Sequence, residues 1–386
     1  LTTLALFAPC PRGLETVLSD ELTALGAKNI NAIDGGVAFK GDLVLAMRAN
    51  LHSRVASRVL LQLAHDRYSS ERDVYELARS IDWPAWFDLK CTIKVKTDGI
   101  GAQVRSFEYI SLTVKDAVCD RFRDATGERP SVDTRFPDVR IHVFLTRDEA
   151  TIYLDTSGEP LFKRGWRSET GEAPLRENLA AGILRLAGYD GSQALIDPMC
   201  GSGTLLVEAA DIALNRAPGR ERKFGFEKFA KFNPALWNKI KSEAIAAERK
   251  PEPLPIWGSD RARAMTDVAK RNLERSGLDQ VVKLNTQDVF AVRPPVAEGL
   301  IITNPPYGIR LEEQEALAQM YPELGHWLKQ HFAGWTAHFF TGDLRLAKMI
   351  RLTPKRRTPL FNGALECRLF SIPLVAGSNR KPKAEE

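Results

Sequence analysis

Cysteine is scarce in this chain. Cys10, Cys91, Cys119, Cys200 and Cys367 are scattered, odd in number and without a Cys-x-x-Cys pair. That pattern argues against a disulfide framework and against a structural zinc site, and it suits a reducing cytoplasm. Histidine is sparse too. His326 and His331 are near neighbours on a predicted helix, but no acidic or sulfur ligands accompany them, so no metal site is expected. No run approaches the roughly 20 apolar residues that a membrane-spanning helix needs. The apolar start, LTTLALFAPCPRGLE, lacks a basic n-region and passes straight into an amphipathic pattern, which predicts a strand rather than a signal peptide.

What is present fits an ordinary globular chain whose 386 residues call for two or three domains. A net charge of +5 is compatible with a nucleic-acid partner without specifying one. Up to residue 155, short strands and helices alternate as in an α+β layer. Residues 4–8 read as a strand, and 15–25 as a helix with Leu14, Val17, Leu18, Leu22 and Leu25 on one face. Residues 37–39 read as a second strand. Residues 42–51, 73–81 and 111–126 read as helices, the last carrying Lys115 and Arg121. Residues 92–97 alternate as a half-buried strand with Lys94 and Lys96 outward, and 140–145 and 151–155 pair as strands. No acid/base constellation occurs in this half. Its cations make either an ordinary solvated face or a track for phosphates.

Residues 156–160 read as a linker. The pattern then becomes strand-helix-strand, the mark of a doubly wound parallel sheet, with strands at 194–196, 255–258, 281–285, 299–303 and 337–341. A hairpin turning at Asn362-Gly363 closes it with an antiparallel strand. An insertion at about 215–253 interleaves Phe224, Phe226, Phe229, Phe232 and Trp237 with arginines and lysines. Those aromatics either stack on unpaired bases or pack against that sheet.

Two turns carry the chemistry. The first is Asp197-Pro198-Met199-Cys200-Gly201-Ser202-Gly203-Thr204, set between a buried strand and a helix. Gly201 and Gly203 remove the Cβ atoms that would bar a ligand, and the helix start faces it with backbone N–H groups. Leu206 stands where a dinucleotide fold wants a third glycine, and Gly203-Thr204-Leu205 lacks the lysine of a P-loop. S-adenosylmethionine fits better. Asp197 can take its ammonium, Asp260 its ribose hydroxyls and Asp288 the adenine amine, each carboxylate ending a successive strand. Each aspartate taken singly suits a helix N-cap as well. The second turn is Asn304-Pro305-Pro306-Tyr307. The Asn304 side-chain carbonyl and the Pro305 backbone carbonyl can accept the two hydrogens of an exocyclic amine and stabilise the charge that builds on nitrogen. The prolines fix that backbone, and Tyr307 can stack on a base.

With these two turns, the chain resembles the bacterial guanine-N2 methyltransferases of 23S ribosomal RNA of the RlmL type. Residues 12–15, 35–37, 54–58, 163–167, 173–177 and 257–260 match at the corresponding places, so the likeness runs to about residue 372. It implies an α/β class I (Rossmann-like) methyltransferase domain with a doubly wound seven-stranded sheet at 165–386. Before it come a ferredoxin-like segment at 1–45 and a THUMP RNA-binding domain at 46–156. It further implies S-adenosylmethionine as cofactor, with Asp197, Pro198, Met199, Cys200, Gly201, Gly203, Thr204, Asp260, Asp288 and Asn304 around it. Transfer at a guanine N2 is placed at Asn304–Tyr307, with 23S RNA as partner, Lys94, Lys96, Lys115, Arg121 and Arg164 gripping it, and no metal or membrane. Some members of that family continue into a second methyltransferase domain making 7-methylguanine, which these residues do not include. Because Asn-Pro-Pro-Tyr also serves adenine-N6 and glutamine-N5 transfer, a transfer-RNA or DNA amine methyltransferase is the runner-up. A non-catalytic RNA-binding or assembly factor is the reading from another class.

Overall fold

One seven-stranded sheet ends its last strand at Asp155, and a second begins at Leu195. In the computed structural model, residues 3–167, 175–306 and 311–375 are described. The chain forms two units. The first takes Leu1–Cys10, Leu18–Lys163 and Ala217–Ala246, and the second takes Pro11–Val17, Arg164–Arg216 and Ala247–Glu386.

In the first unit the elements are β1 (Leu4–Pro9), α1 (Glu15–Ala24), β2 (Lys28–Ile33), β3 (Gly36–Gly41), α2 (Leu43–His52), β4 (Leu60–Arg67), α3 (Glu71–Ser80), β5 (Ile93–Gly99), α4 (Phe107–Thr126), β6 (Val139–Leu145) and β7 (Glu149–Asp155). The strand order is β2-β3-β1-β4-β7-β6-β5, antiparallel throughout except for β5 beside β6. Strand β4 pairs with both β1 and β7, so the sheet runs unbroken through the expected boundary at residues 45 and 46, which falls inside α2. Strand β2 had no signal in the sequence. Lys28-Asn29-Ile30-Asn31 is polar, the strand lies at the sheet edge with five of six residues exposed, and its register slips between Lys28 and Asn31. Polar caps start α2 and α4: the Asp42 carboxylate accepts from the Leu45 N–H at 2.8 Å, and Ser106 caps α4, which begins at Phe107, four residues before the predicted start.

Two expectations are corrected here. The supposed linker begins in the core: Thr156 and Ser157 are fully buried, and only Glu159 of 156–160 is exposed. The Asn50 amide donates to Thr156 Oγ1 at 2.7 Å, and Ser157 Oγ donates back to Asn50 Oδ1 at 2.6 Å. A chain reversal so polar survives burial only because each group finds a partner. The aromatic insertion also leaves the unit that brackets it in sequence. Its helix α7 (Pro234–Ala246) and the preceding loop pack within the first unit, where the Phe226 N–H donates to the Thr156 carbonyl and Ala230 N–H to that of Trp86. Phe224, Phe226, Phe229 and Trp237 are buried, with Phe226 and Trp237 edge to face at 5.0 Å between ring centres. They are core rather than platforms for bases, and the sheet they join is not the parallel one.

The second unit comprises α5 (Glu177–Leu186), β8 (Leu195–Asp197), α6 (Thr204–Ala213), β9 (Ile256–Asp260), α8 (Arg263–Arg275), β10 (Lys283–Thr286), β11 (Leu300–Thr303), α9 (Leu311–His331), β12 (Thr336–Thr341), α10 (Leu346–Met349), β13 (Arg356–Asn362) and β14 (Leu365–Pro373). Its sheet order is β10-β9-β8-β11-β12-β14-β13. The first five strands in that order are parallel, and β14 runs antiparallel between β12 and β13. This is the expected doubly wound seven-stranded sheet. A core around Ile301, Phe339, Tyr321, Phe332 and Trp335 packs beneath β11 and β12. The strand order reverses between β8 and β11, and ligands of such sheets bind outside the strand ends at that switch point.

Candidate active site

Strand β8 ends at Asp197 and β11 at Thr303, side by side at the switch point. After Asp197 the chain must turn at once into α6, and it does so through left-handed backbone at Gly201 (φ 51°) and Gly203 (φ 80°). A Cβ on Gly203 would come within 3.2 Å of the Ala269 side chain, so glycine is needed there for packing as well as for φ. Beside Gly201, by contrast, an added Cβ would meet only Met265, at 3.9 Å, leaving space against the turn. Helix α6 begins without a side-chain cap, so its positive end faces the turn.

Asp197 is the most perturbed acid of the site. It is buried, and desolvation pushes its carboxyl up to about 7. Hydrogen bonds from Thr303 Oγ1 (2.7 Å) and the Met199 N–H (3.3 Å) pull it back, while Asp260 adds repulsion. Asp260 ends β9. Its Oδ2 accepts from the Gly201 N–H at 3.0 Å and Oδ1 from the Ala262 N–H at 2.9 Å, so it orders the glycine turn and still has lone pairs for hydroxyls. Asp288 lies past the end of β10, exposed, with Oδ1 accepting from the Phe290 N–H at 2.9 Å as the cap of a short 3-10 turn. The Gln287 N–H donates to the Asp260 carbonyl, which ties the second and third strand ends together.

Cys200 is buried and its N–H donates to the Ser259 carbonyl at 2.8 Å. Burial beside Asp197 and Asp260 pushes its thiol well up, so it stays protonated and lines the turn as a small apolar group. Pro198 is buried and Met199 half-buried. Thr204 opens α6, buried, and its Oγ1 accepts from Arg167 Nη2 at 3.0 Å.

Asn304 follows Thr303 directly. Its Oδ1 is buried and accepts no hydrogen bond from any described residue. An orphaned amide carbonyl costs about 1–3 kcal/mol unless something else supplies the donor. Pro305 is buried beside it and Pro306 exposed; Tyr307 lies outside the described residues. Asp197, Gly201, Asp260 and Asn304 therefore share one edge, and Asp288 extends it.

The RNA-gripping candidates divide. Lys94 donates to the Thr134 carbonyl at 2.8 Å, Lys96 pairs with Asp98 at 2.9 Å, Lys115 with Asp116 at 2.6 Å and Arg121 with Asp82 at 2.9 Å. The three ion pairs lie at the surface, Lys96 exposed and Lys115 and Arg121 half-buried, where such pairs are worth about 0–1 kcal/mol. Arg164 requires correction. Its side chain is 3% exposed and its Nε sits 3.2 Å from Oε1 of Glu208 on α6, itself 1% exposed. It braces α6 from inside and is no surface contact. Two residues received no role from the sequence. Thr303 orders Asp197, and Arg167 joins Glu177 (2.8 Å) to Thr204, yet each adjoins a motif already singled out.

Residues 164–371 match the model of an RMKL-like methyltransferase domain. The chain belongs to that methyltransferase family. Residues 68–155 match a THUMP domain and 5–60 an RlmL ferredoxin-like domain, the two kinds of domain that the resemblance implied, with other bounds. The chain is 41% identical, over 99% of its length, to a ribosomal RNA large subunit methyltransferase K/L of Psychromonas ingrahamii, and it spans 51% of that relative. Among solved structures it is similar to SMU.472, a candidate methyltransferase complexed with SAH (TM-score 0.90, 29% identity, 98% of this chain and 100% of that one). It is also similar to a predicted N6-adenine-specific DNA methylase of Listeria monocytogenes str. 4b F2365 (TM-score 0.88, 28% identity, 97% of each chain). Among the described residues, no helix is long and apolar enough to cross a membrane, and no group of three His, Cys, Asp or Glu is arranged to hold a metal.

Proposed function

We propose that this chain transfers a methyl group from S-adenosylmethionine to the exocyclic N2 of a guanine in 23S ribosomal RNA, in the cytoplasm. The observation that carries the reading is the buried Asn304 Oδ1 at the switch point, which has no partner among the described residues. It is an acceptor held where an amine hydrogen can supply the missing donor. The donor molecule contributes a methyl group on a positive sulfonium. The chain contributes placement: Asp197 holds the ammonium, Asp260 the ribose hydroxyls and Asp288 the adenine amine. The Gly201–Gly203 backbone allows close approach. Asn304 Oδ1 and the Pro305 carbonyl orient the acceptor nitrogen and stabilise its developing charge, so alignment does most of the work. Lys94, Lys96, Lys115 and Arg121 hold the RNA by its phosphates.

The K/L relative supports ribosomal RNA as substrate. A second reading, transfer to adenine N6, draws on the Listeria protein's name and on the same amine chemistry. Mass spectrometry of ribosomal RNA from cells lacking the protein decides between them. The proposal expects loss of 2-methylguanine at one site of 23S RNA. Full 2-methylguanine at every site overturns it, and loss of 6-methyladenine instead favours the second reading.

A further inference from the structure

The insertion buries most of its aromatic rings in the first unit but leaves Lys228 and Lys231 exposed. Both reach segments far earlier in the chain. Lys228 Nζ pairs with Asp138 Oδ1 at 2.9 Å, and Lys231 Nζ stands 4.4 Å from the centre of the Trp86 ring. Backbone contacts fix them there: Phe229 bridges Phe87 as an antiparallel pair, and the Ala230 N–H donates to the Trp86 carbonyl at 2.8 Å. All of these residues belong to the first unit.

Asp138 leads back to a loop tied along the start of β5. Its Oδ2 accepts from the Thr92 N–H at 3.0 Å. The Ile93 N–H donates to the Ser131 carbonyl at 2.9 Å, and Lys94 Nζ to that of Thr134 at 2.8 Å. Asp133 Oδ1 then accepts from the N–H groups of Arg135 (2.8 Å) and Phe136 (3.0 Å). The loop so held turns Phe136 into water, 83% exposed, more than any other large hydrophobic side chain described. A ring displayed this way gains no burial within the chain, which leaves its apolar surface for a partner. Lys90, Arg135 and Lys231 are exposed beside these contacts, and none makes an ion pair with a described residue. The carboxylates of Asp88, Asp133 and Asp138 each accept from a backbone N–H and brace the segment instead.

We propose that Phe136 stacks on an unpaired RNA base while Lys90, Arg135 and Lys231 neutralise neighbouring phosphates, so that this face holds single-stranded nucleotides. The inference rests on the reading of the chain as an RNA methyltransferase and adds which part of the RNA the first unit takes. Every unpaired base offers a π face to an aromatic ring, whereas bases in a duplex are already stacked and leave mainly backbone to contact. Trp86 keeps the Lys231 ammonium in place by cation–π attraction. Lys231 comes from the insertion, outside the 68–155 THUMP match, so residues bracketed by the methyltransferase half complete the face.

The test measures binding of a short oligouridine strand and of a short RNA duplex to the parent protein, F136A, F136W and R135A/K231A over a series of potassium chloride concentrations. F136A should bind the single strand about tenfold more weakly and the duplex as the parent does, with an unchanged urea midpoint. F136W should keep parental affinity for both. R135A/K231A should reduce the slope of log affinity against log salt by about 0.7 for each single-strand phosphate no longer neutralised. An F136A variant that binds the strand like the parent, or that loses strand and duplex alike, overturns the stacking face and leaves the methyltransferase reading standing. An unchanged salt slope in R135A/K231A overturns the part given to the cations. A parent protein that binds neither RNA overturns the face together with the reading beneath it.

Discussion

Thr303 Oγ1 donates a 2.7 Å hydrogen bond to Asp197 Oδ1, joining the last residue of β11 to the last residue of β8. One side of this bond carries the glycine turn and the other leads into Asn304. The glycine turn and the proline turn are thus tied to each other by a buried side-chain hydrogen bond as well as by the pairing of β8 with β11.

The contact has a pH signature. Burial raises the Asp197 carboxyl from its ordinary range to about 7, so it becomes ionised only as pH rises through neutrality. Pairing with a ligand ammonium requires the ionised form. Cofactor affinity should therefore climb as pH rises through about 7 and then level off, with a proton released on binding in the acidic part. Thr303→Val removes a donor that stabilises the carboxylate and should move this curve to higher pH, whereas Thr303→Ser should leave it nearly in place. Calorimetry in buffers of different ionisation enthalpy reads the released proton. Superimposable curves for parent and Thr303→Val would refute the coupling.

Asn304→Ala should abolish methyl transfer while cofactor binding stays within a few-fold, because in the proposed function Oδ1 takes a hydrogen of the acceptor amine, and it bonds to nothing described in the protein. Equal loss of binding and turnover would make the residue structural.

Asp260→Ala should weaken cofactor binding by about 1–3 kcal/mol, the cost of hydroxyls left without a partner. Part of the loss comes from freeing the Gly201 and Ala262 N–H groups, so Asp260→Asn should be milder. Titration calorimetry of both variants checks the order.

Arg164→Ala should cost about 3–5 kcal/mol in stability by removing the buried cation 3.2 Å from the Glu208 carboxylate. The salt dependence of RNA binding should not change. Urea denaturation measures the first and filter binding the second; a stable variant with a flattened salt slope would return Arg164 to the RNA surface.

Much of the parallel sheet could be read from the chain because its strands are short apolar runs ending in polar turns, and helix periodicity between them is clear. The five parallel strands and the 362–363 hairpin lie within two residues of their predicted places. Strand β2 could not be read, since an exposed edge strand bearing Lys28, Asn29 and Asn31 has neither alternation nor burial to mark it. Helix α4 began early because Ser106 caps it, and a cap is weaker evidence than periodicity.

The sequence by itself determined the residue types at the site: two glycines in a strand-to-helix turn, aspartates at three strand ends, and an amide locked by prolines. It also carried the family resemblance, because those identities depend on local chemistry. Only the tertiary structure decided which cations face water and which are buried. Arg164 and Lys355 are indistinguishable as cations in a sequence, yet one is enclosed with Glu208 and the other stands exposed. It alone showed that the Phe224–Trp237 aromatics join the first unit, and that Thr303 reaches Asp197 across 106 residues. Burial and long-range pairing depend on where distant segments meet, and no window of sequence contains that information.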